Sequence, residues 1–230
     1  GMIRSGSTLQ YQIVSELVEY AGWGKRIGWC SENQIKEKLQ EYSDNKSLKV
    51  LKVHEYSKEI EKEIKNKNAR GFYIFRDIRD VVVSIHQKTG KDLDKLCSER
   101  FIQPILDHYR KWTNMKNMYI SRYEDIVHNI QDEIYKISKF LNISISDETI
   151  KDFADKLAIE KQKDRISISQ TNKLLIETKY GNYDPHTLLH ENHFSRDNGK
   201  IGKWKHYLNA EQKHSIKTNY QNWLTNNGYL

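Results

Sequence analysis

The sequence predicts an α/β fold with parallel strands, and three observations lead there. Short apolar runs alternate with segments of helical periodicity along the chain. A polar residue, His54, Arg76 or Tyr123, directly follows each of three such runs. A segment rich in glycine and hydroxyl groups, Arg4-Ser-Gly-Ser-Thr8, opens the first helix. Ligands of open parallel sheets sit beyond the carboxyl ends of the strands, so these polar residues mark the expected site.

After Gly6, residues Leu9, Ile13, Val14, Leu17, Val18 and Ala21 recur at helical spacing, and Gly22 and Gly24 follow as stop signals. Ile35 and Leu39 suggest a short, polar second helix. Leu48 to Val53 alternates apolar with basic residues as a strand does, and ends at His54. A charged helix through Ile60 and Ile64 leads to Gly71-Phe-Tyr-Ile-Phe75, a second strand ending at Arg76. Asp80 to Thr89 reads as a helix despite three valines, because Gly90 stops it and a longer helical region from Leu93 to Trp112 follows. Met118 to Arg122 is a third strand, ending at Tyr123. Helices are expected from Ile130 to Leu141, from Asp147 to Leu157, and from Ala210 to about Asn226. Residues 161 to 200 are polar, carry little periodicity and hold Pro185 and Gly199, so they read as mostly loop, a lid over the sheet. The expectation is one domain, 1–230, with 161–200 as its loop-rich lid segment.

Composition narrows the partners. The chain has 38 Lys+Arg against 31 Asp+Glu, a net +7, with both signs interleaved, which permits an acidic ligand but does not form a nucleic-acid tail. No stretch approaches the roughly 20 apolar residues of a membrane helix. The start shows no basic segment followed by an apolar one, so a cytoplasmic location is expected. Cys30 and Cys97 lack metal or redox spacing and read as buried or idle thiols. His186, His190 and His193, with Glu191 nearby, have a spacing reminiscent of metal ligands. They sit in a polar loop without the His-Glu-x-x-His pattern, and read as solvated or acceptor-facing. Tyr109, Trp112, Tyr220 and Trp223 read as core and lid packing.

Three segments carry chemistry. In Arg4-Ser-Gly-Ser-Thr8, glycine and small hydroxyl residues leave backbone amides pointing at an anion, and the helix dipole adds positive charge. The segment lacks the lysine and first glycine of a Walker loop, and its plain alternative is an ordinary capped helix. Arg76-Asp-Ile-Arg-Asp-Val-Val-Val-Ser84 sets a cation at a strand end and a hydroxyl eight residues on, both within reach of one phosphate. Its plain alternative is a structural Arg–Asp pair. Lys52-Val-His54 places a cation and an imidazole two apart on one face of a strand end, the arrangement of a base serving a hydroxyl acceptor.

Together these segments resemble the sulfotransferase family. Arg4 to Thr8 is similar to its phosphosulfate loop, closest to the bacterial and Golgi-type branch. Lys52-Val-His54 is similar to its Lys-Thr-His strand end, and Arg76 to Ser84 to its Arg-Asp/Asn-Pro-x-Asp-x-x-x-Ser segment. Tyr123-Glu-Asp125 resembles its Tyr-Glu-Asp, and Arg196-Asp-Asn-Gly-Lys-Ile-Gly-Lys-Trp-Lys205 its C-terminal Arg-Lys-Gly-x-x-Gly-x-Trp-Lys. The five matches keep their order along most of the chain.

The resemblance implies a P-loop-like three-layer fold, a central parallel sheet flanked by helices. It implies transfer of a sulfuryl group from 3′-phosphoadenosine-5′-phosphosulfate (PAPS) to a hydroxyl or amine of a small-molecule, lipid or carbohydrate acceptor, without a metal. Carried over by position, Arg4 and the backbone amides of Ser5, Gly6, Ser7 and Thr8 hold the 5′-phosphosulfate. Arg76 and Ser84 bind the 3′-phosphate, Arg196 and Gly199 close over it, and Tyr123 contacts the adenine. Lys52 and Arg4 stabilise the transferring group, and His54 takes the acceptor's proton, with Glu55 as the competing base. The sequence departs from the pattern in having Ile3 and Ile78 for prolines, Leu9 for a tryptophan, and one extra residue between Arg196 and Gly199. At most three residues precede the loop, fewer than the about 5–6 of a typical strand, so the first strand is expected to be truncated. The alternatives are a P-loop nucleotide kinase and a non-catalytic nucleotide-binding module or degenerate transferase.

Overall fold

The computed structural model describes residues 1–43, 46–178, 181–190, 194 and 199–230. In chain order the elements are α1 (Ser7–Tyr20), β1 (Gly24–Trp29), α2 (Glu32–Tyr42), β2 (Leu48–Lys52), α3 (Lys58–Lys65) and β3 (Gly71–Phe75). Then come α4 (Ile78–Thr89), α5 (Leu93–Cys97), α6 (Glu99–Thr113), β4 (Met118–Arg122), α7 (Tyr123–His128), α8 (Ile130–Leu141) and α9 (Asp147–Leu157). The chain continues through α10 (Ile159–Thr171), α11 (Trp204–Tyr207), α12 (Ala210–Asn219) and α13 (Gln221–Asn226). The α/β class and the parallel strands expected from the sequence are present. The named strands hydrogen-bond as two parallel pairs, β1 with β2 and β3 with β4.

Three strands lie where their apolar runs put them; β1 does not follow from the sequence. Its Gly-Lys-Arg-Ile-Gly-Trp has a single β-branched residue, and a register shift between Arg26 and Gly28 interrupts the alternation. Its strand character comes from the ladder with β2. A second difference is α10, which occupies part of the stretch expected to be loop. Its buried residues, Gln162, Ile166 and Ser169, are helically spaced but mostly polar, so no apolar stripe announces them.

In α4, packing overrides propensity. Val81, Val82 and Val83 are wholly buried. Burial of each is worth about 1.5–3 kcal/mol, against a helix-propensity deficit of at most about 0.7 kcal/mol per residue. Strand β3 is apolar throughout because both its faces are covered. Tyr73 and Phe75 join α4, α6 and α13 in one core, while Phe72 and its register partner Tyr119 pack on the core formed by α1, α8 and α9. Cys30 and Cys97 are buried free thiols.

The segment before α1 is tied to β3. The Met2 amide and the Ser5 hydroxyl both donate to the Ile74 carbonyl, at 2.8 Å and 3.1 Å. The buried Gln10 amide donates to the Tyr73 carbonyl at 3.2 Å and to Ser121 Oγ at 2.7 Å. These bonds set the N-terminus of α1 beside the carboxyl end of β3. Among the described residues no helix is long and apolar enough to cross a membrane.

Candidate functional site

The loop into α1 turns through two left-handed residues, Arg4 with φ 60° and Gly6 with φ 83°. Gly6 caps the helix without a side-chain hydrogen bond, and the first turn holds no acidic residue. A Cβ at Gly6 would meet the Tyr123 ring at 3.0 Å, so glycine is required for the loop to lie on that ring. The Ser5 hydroxyl is turned inward to the Met2 and Ile74 carbonyls, which leaves it a structural role. The amides of the first helical turn, with no side-chain acceptor, remain for an anion.

Two cations approach this turn. Lys52, the last residue of β2, donates to Thr8 Oγ1 at 2.6 Å. Arg4 reaches across to α4, where its Nε donates to Ser84 Oγ at 3.0 Å. The structure thus brings together the cations and hydroxyls that the sequence places 44 and 80 residues apart.

Arg76 lies just past β3 with 3% of its surface exposed. Its Nη2 donates to Asp80 Oδ2 at 3.3 Å, to the Gly199 carbonyl at 3.4 Å and to the Lys200 carbonyl at 2.9 Å. The guanidinium stacks 4.2 Å from the centre of the Tyr123 ring, and the Tyr123 hydroxyl donates to the Gly199 carbonyl at 2.9 Å. A Cβ on Gly199 would fall 2.1 Å from that hydroxyl. Among the described residues the buried Arg76 Nε has no partner. Asp80, wholly buried, also accepts from the Gly202 and Trp204 amides at 2.7 Å and 3.1 Å. Its neighbour Arg79 pairs with Asp77 at 2.7 Å, stacks on Trp204 at 3.8 Å and donates to the Tyr229 carbonyl at 2.9 Å. The structural Arg–Asp pairing given as the plain alternative for the Arg76 to Ser84 segment is present, as Arg76–Asp80 and Arg79–Asp77, while the bonds of Asp80 and Arg79 to the distant backbone were not expected.

His54 follows β2 and stays exposed, as does Glu55. Its carbonyl lies 2.8 Å from His108 Nε2 on α6. A cavity of about 500 Å³ opens beside it, lined by Glu55, Tyr56, Pro104, Asp107, His108 and Lys111. Arg196 falls outside the described residues, as do His193 and Glu191 of the histidine-rich stretch. His186 instead meets Glu16 and Glu19, and that acidic pair is bound by Arg26 at 2.7 Å and 2.6 Å, so an arginine occupies the place a cation would take.

The charges of the cluster act against one another. Burial pulls Lys52 down to about 8 from 10.5. Burial, then the neighbouring Arg76, lowers Arg4. His190 is lowered by burial and by Lys52 and Lys88. Packing around the ring, and then the charge of Lys52, take His54 to about 4, although the residue as a whole is exposed. Of Arg4, Lys52 and Arg76, only Arg76 has a carboxylate partner among the described residues. Lys52 and Arg4, held by hydroxyls and without a carboxylate partner among the described residues, form a site complementary to a polyanion.

A family model described as the sulfotransferase domain matches residues 1–228. The chain is 27% identical over 177 residues to an amine sulfotransferase of Oryctolagus cuniculus, covering 70% of this chain and 56% of that protein. It is 22% identical over 204 residues to sulfotransferase 1A1 of Rattus norvegicus, covering 81% and 66%. The chain thus spans between about half and two thirds of these two relatives. A crystal structure of mouse sulfotransferase SULT7A1 complexed with PAP matches with a TM-score of 0.65 at 17% identity, over 96% of this chain and 80% of that one. Retinol dehydratase in complex with androsterone and the inactive cofactor PAP matches at 0.60 and 18% identity, over 94% and 77%. These likenesses show the fold, which is the P-loop-like α/β fold expected from the motifs.

Asp80→Ala leaves Arg76 as a buried, uncompensated charge and frees two amides of the 199–204 segment. Breaking such a pair costs about 3–5 kcal/mol, which urea unfolding will read as a lowered midpoint. Lys52 gives a pH signature. Its folded value near 8 lies below the ordinary 10.5, so between these pH values the unfolded chain holds a proton that the folded chain has released. Through this group stability rises as pH rises across that window. Lys52→Met removes the rise, measured as the difference between the two proteins' melting temperatures at pH 8 and pH 10.5.

Proposed function

Because the chain belongs to the sulfotransferase family, we propose that it transfers a sulfuryl group from PAPS to a hydroxyl or amine of a small-molecule, lipid or carbohydrate acceptor. The observation that carries this reading is the convergence of Arg4, Lys52 and Arg76 on the uncapped start of α1. The PAP held by the mouse sulfotransferase and by retinol dehydratase supports PAPS as co-substrate. A nucleotide-kinase reading does not fit a sulfotransferase domain. The two buried free thiols accord with the cytoplasmic location we propose.

The residues present fit the nucleotide. The unpartnered Arg76 Nε, together with Ser84, supplies donors for the 3′-phosphate, and Arg4, which touches Ser84, is left for the 5′-phosphosulfate. The amides from Ser5 to Thr8 suit the 5′-phosphosulfate, with Lys52 at their edge. Gly199 and Tyr123, joined by a hydrogen bond, cover the nucleotide side; Arg196 belongs to the same segment by sequence. We assign the residues 161–200 of the single domain 1–230 the role of a lid, with α10 as its helical beginning.

Transfer requires an acceptor oxygen or nitrogen to attack sulfur as the bond from sulfur to the leaving phosphate oxygen breaks. His54 accepts the proton given up by the acceptor, and Lys52 and Arg4 stabilise the charge that accumulates on the leaving phosphate. In the free protein burial, and then the charge of Lys52, lower His54 and weaken it as a base. A bound polyanion offsets the field of Lys52, the second of the causes that lower the imidazole, and so raises its basicity.

Three measurements test the reading. PAP should raise the melting temperature in the absence of Mg²⁺; no shift at millimolar PAP would reject nucleotide binding. Arg4→Gln should weaken PAP binding by roughly 10–150-fold, the equivalent of about 1.5–3 kcal/mol for a charged hydrogen bond. His54→Ala should abolish transfer of label from PAPS while leaving PAP affinity within about twofold. PAP binding without transfer in the unaltered protein, across phenol, sterol, amine and sugar acceptors, would point to a degenerate transferase.

A further inference from the structure

The polypeptide carrying His54 is poorly fixed by the sheet. The last ladder bond of β2 runs from the Cys30 amide to the Lys52 carbonyl at 2.9 Å, and α3 begins only at Lys58. Between them, among the described residues, one hydrogen bond holds the backbone of residues 53–56. It joins the His54 carbonyl to His108 Nε2 at 2.8 Å.

His108 is itself well placed to act as an anchor. It projects from α6, its Nδ1 lies 3.2 Å from the buried Tyr73 hydroxyl of β3, and its ring packs against Tyr73 and Trp112. Trp112 Nε1 also approaches Nε2, at 3.0 Å. One ring nitrogen cannot serve both His54 and Trp112, and the count of satisfied groups decides between them. With the proton on Nε2, His108 donates to the His54 carbonyl and accepts the Tyr73 hydroxyl proton, leaving one indole N–H unpaired. With the proton on Nδ1, the Trp112 N–H is satisfied, but the Tyr73 hydroxyl proton and the His54 carbonyl are both left over. The indole N–H and the Tyr73 hydroxyl proton are the shielded groups and offset one another, so the exposed His54 carbonyl, with the shorter contact of 2.8 Å against 3.0 Å to Trp112, tips the balance to the Nε2–H form. Burial lowers the affinity of His108 for a second proton, which keeps the ring neutral and its two nitrogens distinct.

We propose that His108 is a positioning residue for the proton acceptor: its Nε2–H clamps the His54 carbonyl and thereby sets the direction of the His54 imidazole at the mouth of the cavity that His108 also lines. The inference rests on the reading of His54 as the base. The chain of contacts runs from β3 through Tyr73 and His108 to a strand end that the sheet leaves loose. It links the base to the same strand whose end carries Arg76, so the acceptor and nucleotide sides of the site share one rigid reference.

The test compares His108→Phe, which keeps the ring volume without the donor, with His108→Gln, whose amide N–H stands near the position of Nε2. With labelled PAPS and 4-nitrophenol as acceptor, His108→Phe should lower kcat by tenfold or more while the KM for PAPS and the Kd for PAP stay within about twofold. His108→Gln should restore most of the loss. Nitrogen-15 spectra of the free protein should show His108 protonated on Nε2 and bare on Nδ1, a readout that needs no turnover. The reversed tautomer, or a Gln variant no better than Phe, would overturn the proposal. His108→Phe active beside an inactive His54→Ala would overturn it alone, whereas an active His54→Ala would overturn the base reading and this proposal with it.

Discussion

The pair formed by Arg76 and Asp80 organises the rest of the molecule. Both side chains are almost wholly excluded from water, so neither charge is tolerable without the other. Asp80 keeps acceptor capacity after meeting Arg76 and uses it on the Gly202 and Trp204 amides. Arg76 likewise spends one nitrogen on the carbonyls of Gly199 and Lys200. A pair set four residues apart at the start of α4 thereby fixes a segment more than a hundred residues away, and with it the covering of Tyr123. The arginine proposed to meet the nucleotide and the arginine that latches the chain are the same group, so the proposed binding and the order of the returning segment share one side chain.

That latch explains why the cluster can hold so much positive charge. Lys52 and Arg4 are both lowered by burial, an expense met by apolar packing around β3 and α4. Hydrogen bonds to Thr8 and Ser84 orient them without neutralising them, because a hydroxyl partner leaves the charge in place where a carboxylate would cancel it. Burial of these charges costs stability, and the proposed anion is what would offset that cost. Preorganisation of this kind puts the electrostatic cost into folding, so that little reorganisation is left for the transfer step.

The legible parts of the sequence were those in which one residue type both packs and reports. Gly71 to Phe75 is apolar because β3 is buried nearly throughout, Met118 to Ile120 pack partly buried beside it, and α8 and α9 carry helically spaced apolar residues. Gly6, Lys52, Arg76 and Ser84 were singled out by spacing, since the proposed phosphate site needs amides, cations and hydroxyls at fixed offsets, and the structure brings them to one end of α1 and α4. Strand β1 was not, because its partner strand, and not its composition, makes it a strand; α10 was not, because it buries Gln162 and Ser169 in place of aliphatic residues. His108, and the reach of Asp80 beyond its arginine, lay hidden for another reason. Each acts through backbone groups, and a backbone carbonyl or amide has no letter in the sequence.

That last distinction separates the two halves of the site. The proposed nucleotide half is built from loop, helix start and strand end whose hydrogen bonds are many and mutually supporting, so its donors are held in place by the fold itself. The acceptor half hangs from a strand end with one described backbone bond, beside a cavity whose lining includes the exposed Glu55 and Lys111 held 5.7 Å from the Tyr56 ring. An invariant co-substrate rewards the first arrangement, while acceptors of differing shape are better met by the second. The chemistry still demands that a proton acceptor face sulfur at a defined angle. A loose strand end can satisfy that demand only if something other than the sheet sets its direction, and the Tyr73–His108 link is the described contact that does so.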